Sequence, residues 1–151
     1  MLEIANQLSE DEKYSQALKY YESILQIEPN NIYVITDYGV TLQNLELYHQ
    51  ALEVYDRVLS IQPKNICALI NKGSVLHALE KYTDALACYD TVLSTEKNNP
   101  IVFAYKGLCI AESGNTQLAI KYFKKALSID TEYQLAKVSI NTARHILNHK
   151  C

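Results

Sequence analysis

Glycine and proline are scarce in this chain: its 151 residues include four Gly and three Pro. So few turn-forming residues argue against an all-β protein and favour helices joined by short turns. Apolar runs are short as well, and the longest, such as 101–105, are too short to cross a bilayer. A basic start followed by an apolar stretch is also missing, so we expect no signal peptide and a cytoplasmic location.

The charge balance gives no sign of a nucleic-acid partner. The formal net charge is −3, with 14 Lys and Arg against 17 Asp and Glu, whereas phosphate binding needs clustered cations. Twelve Tyr residues are present, but without a basic patch they are better explained as packing between helices than as base-stacking platforms. We therefore predict neither a nucleic-acid nor a membrane partner.

The residues that could carry chemistry do not form a recognisable site. The four cysteines contain no Cys-x-x-Cys pair, which favours thiols used as small apolar side chains over disulfides or metal ligands. His145 and His149 have a spacing that can bind zinc, close to Cys151, but a fourth ligand is missing from the sequence. The glycines are isolated and form no phosphate-binding loop. We predict no metal site, no cofactor and no enzymatic activity.

One interval recurs along the chain. Residues of matching size stand 34 positions apart in three sets: Gly39, Gly73 and Gly107; Ala17, Ala51, Ala85 and Ala119; Tyr21, Tyr55, Tyr89 and Phe123. A period in this range marks a stack of helical units. Aligning on the glycines gives units at 1–31, 32–65, 66–99 and 100–133. The segment 134–148 follows, and we interpret it as a capping helix.

Each unit is predicted to contain two helices. Asn31, Asn65 and Asn99 stand where first helices should begin, as N-caps. Pro29 and Pro63 stand just past the second helices, where the chain must stop coiling. The repeated glycines lie mid-helix at a cost of about 1 kcal/mol each. We therefore expect close helix crossings there, with the repeated alanines as the partner positions.

The capping segment has its own pattern. Its apolar stripe comprises Leu135, Val138, Thr142 and Ile146. A repeat stack must end in a helix with one wet face, or its last apolar surface stays exposed. At the other end, the first unit begins directly at Met1 without about three residues of its first helix. Two explanations stay open, a piece of a longer array and a natural start.

These features resemble the tetratricopeptide repeat, a 34-residue unit of two antiparallel helices with a small–large–small signature. The resemblance covers about residues 1–133 and implies an all-α fold, a right-handed α-solenoid of nine helices forming a single domain over 1–151. Departures include the absence of Trp, and Lys72 and Lys106 at a position where Leu is usual. The closing proline is replaced by Lys97 and Thr131 in the last two units.

In this family, first helices line an inner groove that accepts a segment of another protein. The resemblance maps the groove onto Asn6, Tyr33, Thr36, Asp37, Val40, Asn44, Ile70, Asn71, Ser74, His77, Ile101, Ala104, Tyr105, Leu108 and Glu112. It therefore implies a protein-interaction module, a scaffold or adaptor that binds a peptide or helix. The alternative interpretation is that these residues pack between repeats or mediate self-association into a homo-oligomer.

One branch of the family holds the C-terminal carboxylate of a chaperone tail with a Lys/Arg/Asn clamp. Here Leu2 and Cys67, or Ile101 and Tyr105 if the frame moves one unit, stand where the cations should be. A carboxylate bound there would lack charge-assisted hydrogen bonds. The sequence thus predicts an apolar or amphipathic partner segment instead.

Overall fold

A computed structural model describes residues 1–148 of the chain. This range holds nine α-helices and no strand, which confirms the all-α prediction. The helices are α1 (Leu2–Glu10), α2 (Tyr14–Ile27), α3 (Ile32–Asn44), α4 (Tyr48–Ile61), α5 (Ile66–Ala78), α6 (Tyr82–Thr95), α7 (Pro100–Glu112), α8 (Thr116–Ile129) and α9 (Gln134–Asn148). His149 and Cys151 lie outside the described residues.

The helix ends follow the local sequence. The side-chain carbonyls of Asn31, Asn65 and Asn99 accept hydrogen bonds from the backbone N–H three residues later, at 3.3, 2.9 and 3.1 Å. These bonds satisfy N–H groups that have no partner inside the helix. The N-cap predictions are therefore confirmed. Within the described range, no helix has the length and apolar content needed to cross a membrane.

The turns inside the helix pairs share a backbone conformation that the sequence did not reveal. Glu12, Glu46 and Glu80 have φ of 59°, 58° and 59°, and Gly114 has φ of 100°. All four occupy equivalent positions, 34 residues apart. Of these four residues, only Gly114 adopts a left-handed backbone conformation without steric cost, because glycine has no Cβ.

The chain divides into two compact units, Met1–Val75 (unit 1) and the residues from Leu76 onward (unit 2). In unit 1, the ring of Tyr21 packs with Ala5, Ala17 and Val34. A further cluster joins Ile35 of α3, Val58 of α4 and Ala68 of α5. Successive helices thus share buried side chains, as the repeat pattern requires. The single domain over 1–151 stays a prediction.

Unit 2 has a core of the same kind. Phe123 of α8 packs with Ile110 of α7 and with Ile140 and Ala143 of α9. The core face of α9 consists of Ala136, Ile140 and Ala143. The predicted apolar stripe does not face the core, because Val138 is 58% exposed and Ile146 is 42% exposed. This prediction was wrong. Small residues bring α9 close to its neighbours and leave the larger side chains outside.

Two of the repeated glycines, Gly39 and Gly107, lie against aromatic rings. A Cβ added at Gly39 would stand 2.7 Å from Cε1 of Tyr55, and one added at Gly107 would stand 2.7 Å from Cδ1 of Phe123. Close approach at these glycines was therefore expected correctly, but their partner is the large residue of the second helix. The side chains nearest to these two Cβ positions are the aromatic rings and Val54, and not the repeated alanines.

A polar link also recurs between a second helix and the first helix that follows. In unit 1, the Tyr38 hydroxyl donates to the Glu22 carboxylate at 3.1 Å, and the Lys72 ammonium lies 2.5 Å from the Asp56 carboxylate. In unit 2, the Lys106 ammonium pairs with the Asp90 carboxylate. These links explain why lysine is tolerated at this position, because each ammonium has a carboxylate partner.

Candidate functional site

The first helices of unit 1 form a cleft between α1 and α3. Its volume is about 240 Å³, and its lining residues are Asn6, Ser9 and Glu10 from α1, Asp37, Val40, Thr41 and Asn44 from α3, and the Tyr21 ring. Asn6 is held by the Tyr21 hydroxyl, which donates to its side-chain carbonyl at 2.9 Å. The hydroxyls of Ser9 and Thr41 share a hydrogen bond of 3.1 Å across the two helices. The cleft is therefore a preformed surface.

A second cleft of about 570 Å³ lies on the same side of α3. Tyr33, Thr36 and Asp37 line it together with Cys67 of α5 and the capping residues Asn31 and Asn65. The Tyr33 ring is 83% exposed. The Thr36 hydroxyl donates to the Ile32 carbonyl at 2.8 Å, as threonine commonly does inside a helix. Ile32 and the Tyr33 ring supply apolar parts of this surface.

Asp37 lines both clefts, and the pKa of its carboxyl group is shifted. Burial raises the pKa of the Asp37 carboxyl above its ordinary value of 3.8, because a low-dielectric surrounding disfavours the charged form. Neither cleft is lined by Lys, Arg or His, whereas Glu10 adds a second carboxylate. The charged side chains that line these two surfaces are therefore all acidic.

The remaining predicted residues of unit 1 lie on α5. Ile70 and Asn71 are half-buried and line neither cleft. Ser74 accepts a hydrogen bond of 3.3 Å from the Gln43 side chain, which in turn accepts from the Tyr55 hydroxyl at 3.1 Å. Ser74 thus joins α5 to α3.

Unit 2 has an apolar cleft of about 260 Å³. Leu108, Ala111 and Glu112 of α7 line one side, Val138, Ser139, Thr142, Ala143 and Ile146 of α9 line the other, and Thr116 and the Phe123 ring lie beneath. Leu108 is shared with the core, since it packs against the cluster of Phe123. The contribution of α9 was missed from the sequence. The signal was present in the predicted stripe of α9, because its members Val138, Thr142 and Ile146 line this cleft.

Glu112 at this cleft has two polar partners. Nε2 of His77 lies 2.8 Å from a Glu112 carboxylate oxygen, and the Tyr82 hydroxyl donates to the same oxygen at 3.3 Å. The His77 and Tyr82 rings are 5.7 Å apart. His77 and Glu112, both mapped to the groove from the sequence, are thus in contact.

The other mapped residues of unit 2 differ in exposure. Ile101 is 40% exposed at the start of α7, and Tyr105 is half-buried with its ring 6.0 Å from that of Tyr89. Ala104 has no exposed surface and packs with Ala126 and Ala136. Its side chain belongs to the core, because α9 covers this face of α7, and it contributes nothing to a binding surface.

Cys67 and Cys109 differ in their surroundings. Cys67 is exposed on α5, and Cys109 is buried in α7. Burial raises the pKa of the Cys109 thiol to about 12, which keeps it protonated and unreactive at neutral pH. Residues 1–148 also contain no group of three or more His, Cys, Asp and Glu side chains placed to hold a metal ion.

Two family models match the sequence. Residues 10–92 match the model described as anaphase-promoting complex, cyclosome, subunit 3, and residues 106–141 match the model described as tetratricopeptide repeat. The first match spans more than half of the chain. No curated protein sequence matches at a significant level.

Several solved structures have a similar fold. A MamA double mutant from strain RS-1 superposes with a TM-score of 0.83 at 22% identity, covering 97% of this chain and 83% of that one. YrrB, described as a TPR protein with an unusual peptide-binding site, gives 0.72 at 20% identity, covering 99% and 77%. The first TPR of Spaghetti (RPAP3), bound to the HSP90 peptide SRMEEVD, gives 0.71 at 15% identity, covering 78% and 93%.

These similarities agree with the helix pairs and with the spacing of small and large residues. At such identities the solved structures support the fold alone, whereas the family models match the sequence itself. The chain belongs to the tetratricopeptide-repeat family.

Proposed function

We propose that this chain is a protein-interaction module whose first helices bind a segment of a partner protein. The observation that carries the proposal is the pair of clefts along α3 of unit 1, which bring together side-chain amides, an exposed aromatic ring and Val40. Amides hold an extended backbone, and apolar side chains provide anchors. The apolar cleft of unit 2 offers a surface for a further anchor.

The relatives support this use of the fold. YrrB is described as having a peptide-binding site, and the Spaghetti repeat domain is bound to a peptide. That peptide carries three acidic side chains, whereas no cationic side chain lines the clefts of unit 1 to receive them. We therefore infer a different partner here, acting in a scaffold or adaptor role without catalysis. A cytoplasmic location stays part of this proposal.

Selection from a library of short random peptides tests the proposal. The immobilised chain should enrich a set of peptides, and Val40→Glu and Val138→Glu should each weaken the best binders at least tenfold, because a buried charge opposes an apolar anchor. Val138 is preferred to Leu108 because it lines the same cleft without packing in the core. Ile27→Glu is the control, since Ile27 is exposed and lines none of these clefts.

Melting curves separate binding from packing. Val40→Glu and Val138→Glu should melt close to the parent, as should Ile27→Glu. Peptides that bind all four proteins equally would contradict the proposal. A large drop in melting temperature for Val40→Glu would show that Val40 packs between repeats instead.

Self-association is the second candidate, and one observation favours it. Ile4 of α1 is an apolar side chain that is 49% exposed. A second copy could cover this apolar side chain. Light scattering at two concentrations would then show a concentration-dependent doubling of mass that Ile4→Lys removes.

A further inference from the structure

Asp37 is a half-buried carboxylate without a counter-ion. Within the described range, none of the hydrogen bonds or ion pairs involves its side chain, although its backbone carbonyl accepts from the Thr41 hydroxyl at 2.8 Å. Other carboxylates of unit 1 near first helices have partners: Asp56 pairs with Lys72, and Glu22 accepts from Tyr38. Asp37 therefore carries a charge that the fold of unit 1 leaves unpaired.

The surroundings of Asp37 specify the charge of a ligand. Both clefts that it lines lack Lys, Arg and His, and Glu10 lies in one of them. No cationic side chain at this surface would attract an anion. A cation would replace part of the water that Asp37 loses on burial and would form a charge-assisted hydrogen bond.

Tyr33 adds a second element to the same cleft. It precedes Asp37 by one helical turn, so the two side chains are neighbours on one face of α3. Its ring is 83% exposed and lines the larger cleft with Asp37. An exposed aromatic face beside a carboxylate favours a cation, since the ring attracts positive charge.

We propose that unit 1 recognises a cationic side chain, an arginine or a lysine of the bound protein segment, between Asp37 and the ring of Tyr33. The inference rests on the proposed function for the identity of the ligand as part of a protein. Arginine fits better than lysine, because its planar guanidinium can pair with the carboxylate through two N–H groups and stack on the ring. The amides of Asn6 and Asn44 then remain for the backbone of the segment.

The test is an NMR titration of the ¹⁵N-labelled chain with N-acetylarginine amide at low salt. Saturable shifts are expected at the backbone amides of Tyr33, Thr36, Asp37 and Cys67. The neutral analogue N-acetylcitrulline amide should bind at least tenfold more weakly, and so should the arginine probe with Asp37→Asn. Glu3→Gln removes the same charge from an exposed site on α1 that lines neither cleft, and it should leave the response unchanged within twofold.

The outcomes separate this inference from the proposed function. Equal responses to arginine and citrulline, an unchanged response in Asp37→Asn, or no shift at these amides overturns the cation site. If the arginine response is as expected but no library peptide depends on Val40, the cation site stands and the peptide-groove proposal fails. If peptides bind through Val40 without enrichment of Arg or Lys, and Asp37→Asn binds them equally, the proposed function stands and this inference fails.

Discussion

The ammonium of Lys106 on α7 pairs with the carboxylate of Asp90 on α6, and it does so with its side chain only 10% exposed. The same ammonium lies 5.1 Å from the centre of the Tyr122 ring. In the equivalent pair of unit 1, Lys72 with Asp56, the lysine side chain is 25% exposed. The two pairs allow the effect of burial on one interaction to be measured within one chain.

We expect Asp90→Ala to lower the free energy of unfolding by about 1–3 kcal/mol, because it leaves a buried ammonium unpaired. Lys106→Met should cost less, since it removes the charge and keeps the apolar stem. Asp56→Ala, the matched control, should cost about 1 kcal/mol or less because Lys72 reaches water. Urea unfolding of the three variants provides the measurement, and equal losses for Asp90→Ala and Asp56→Ala would contradict the role given to burial.

The hydroxyl of Tyr89 provides a second matched comparison. It is buried without a hydrogen-bond partner in the described range, whereas the equivalent hydroxyls of Tyr21 and Tyr55 donate to Asn6 and Gln43. Tyr89→Phe should therefore keep or raise stability, while Tyr55→Phe should cost about 0.5–1.5 kcal/mol. Phe123 already occupies the equivalent position in the last pair. Thermal melts of both variants decide the point, and a clear loss in Tyr89→Phe would reveal a partner for that hydroxyl.

Gly107→Ala tests the contact between glycine and aromatic ring. Alanine is favoured over glycine inside a helix by about 1 kcal/mol, but its Cβ would stand 2.7 and 2.9 Å from two ring atoms of the buried Phe123. We expect the clash to dominate, with a net loss of about 1–3 kcal/mol. In the double variant Gly107→Ala with Phe123→Leu, the loss in the free energy of unfolding should be smaller than the sum of the two single losses. The smaller leucine side chain leaves room for the alanine methyl group. Additive losses by chemical unfolding would refute the contact.

Asp37 should make stability depend on pH. Burial raises its pKa in the folded state above the ordinary value of 3.8. The folded protein therefore holds the Asp37 proton more tightly than the unfolded chain does. Ionisation of Asp37 lowers the stability of the folded state, and this loss is fully present above the folded pKa and absent below 3.8. Asp37→Asn should raise the free energy of unfolding near neutral pH by at most about 1 kcal/mol, since water still screens the carboxylate.

The stability gained in Asp37→Asn should vanish as the pH falls below 3.8, the ordinary pKa of the carboxyl. The parent carboxyl is then neutral as well. Unfolding curves at neutral and acidic pH, with Glu3→Gln alongside, measure the difference. A benefit of Asp37→Asn that persists at acidic pH would show that the effect does not come from the charge. A stability cost retained at the proposed binding surface is the pattern expected when function opposes folding.

The amino-acid sequence by itself determined the period, the helix pairs and the position of the last helix. Asn31, Asn65 and Asn99 cap the helices that they were predicted to begin, and α9 occupies the predicted 134–148. These features are local: a cap depends on an N–H three residues away, and a helical stripe depends on spacing along one segment.

Only the tertiary structure decided which side chains meet. Whether Gly107 contacts an alanine or Phe123, and whether Ala104 lies in a groove or under α9, depends on how closely and at what angle two helices cross. Periodicity does not fix those quantities, because several side chains of similar size can fill the same space. The unpaired charge of Asp37 is of the same kind, since a missing partner is a property of the whole surrounding surface and not of any one segment.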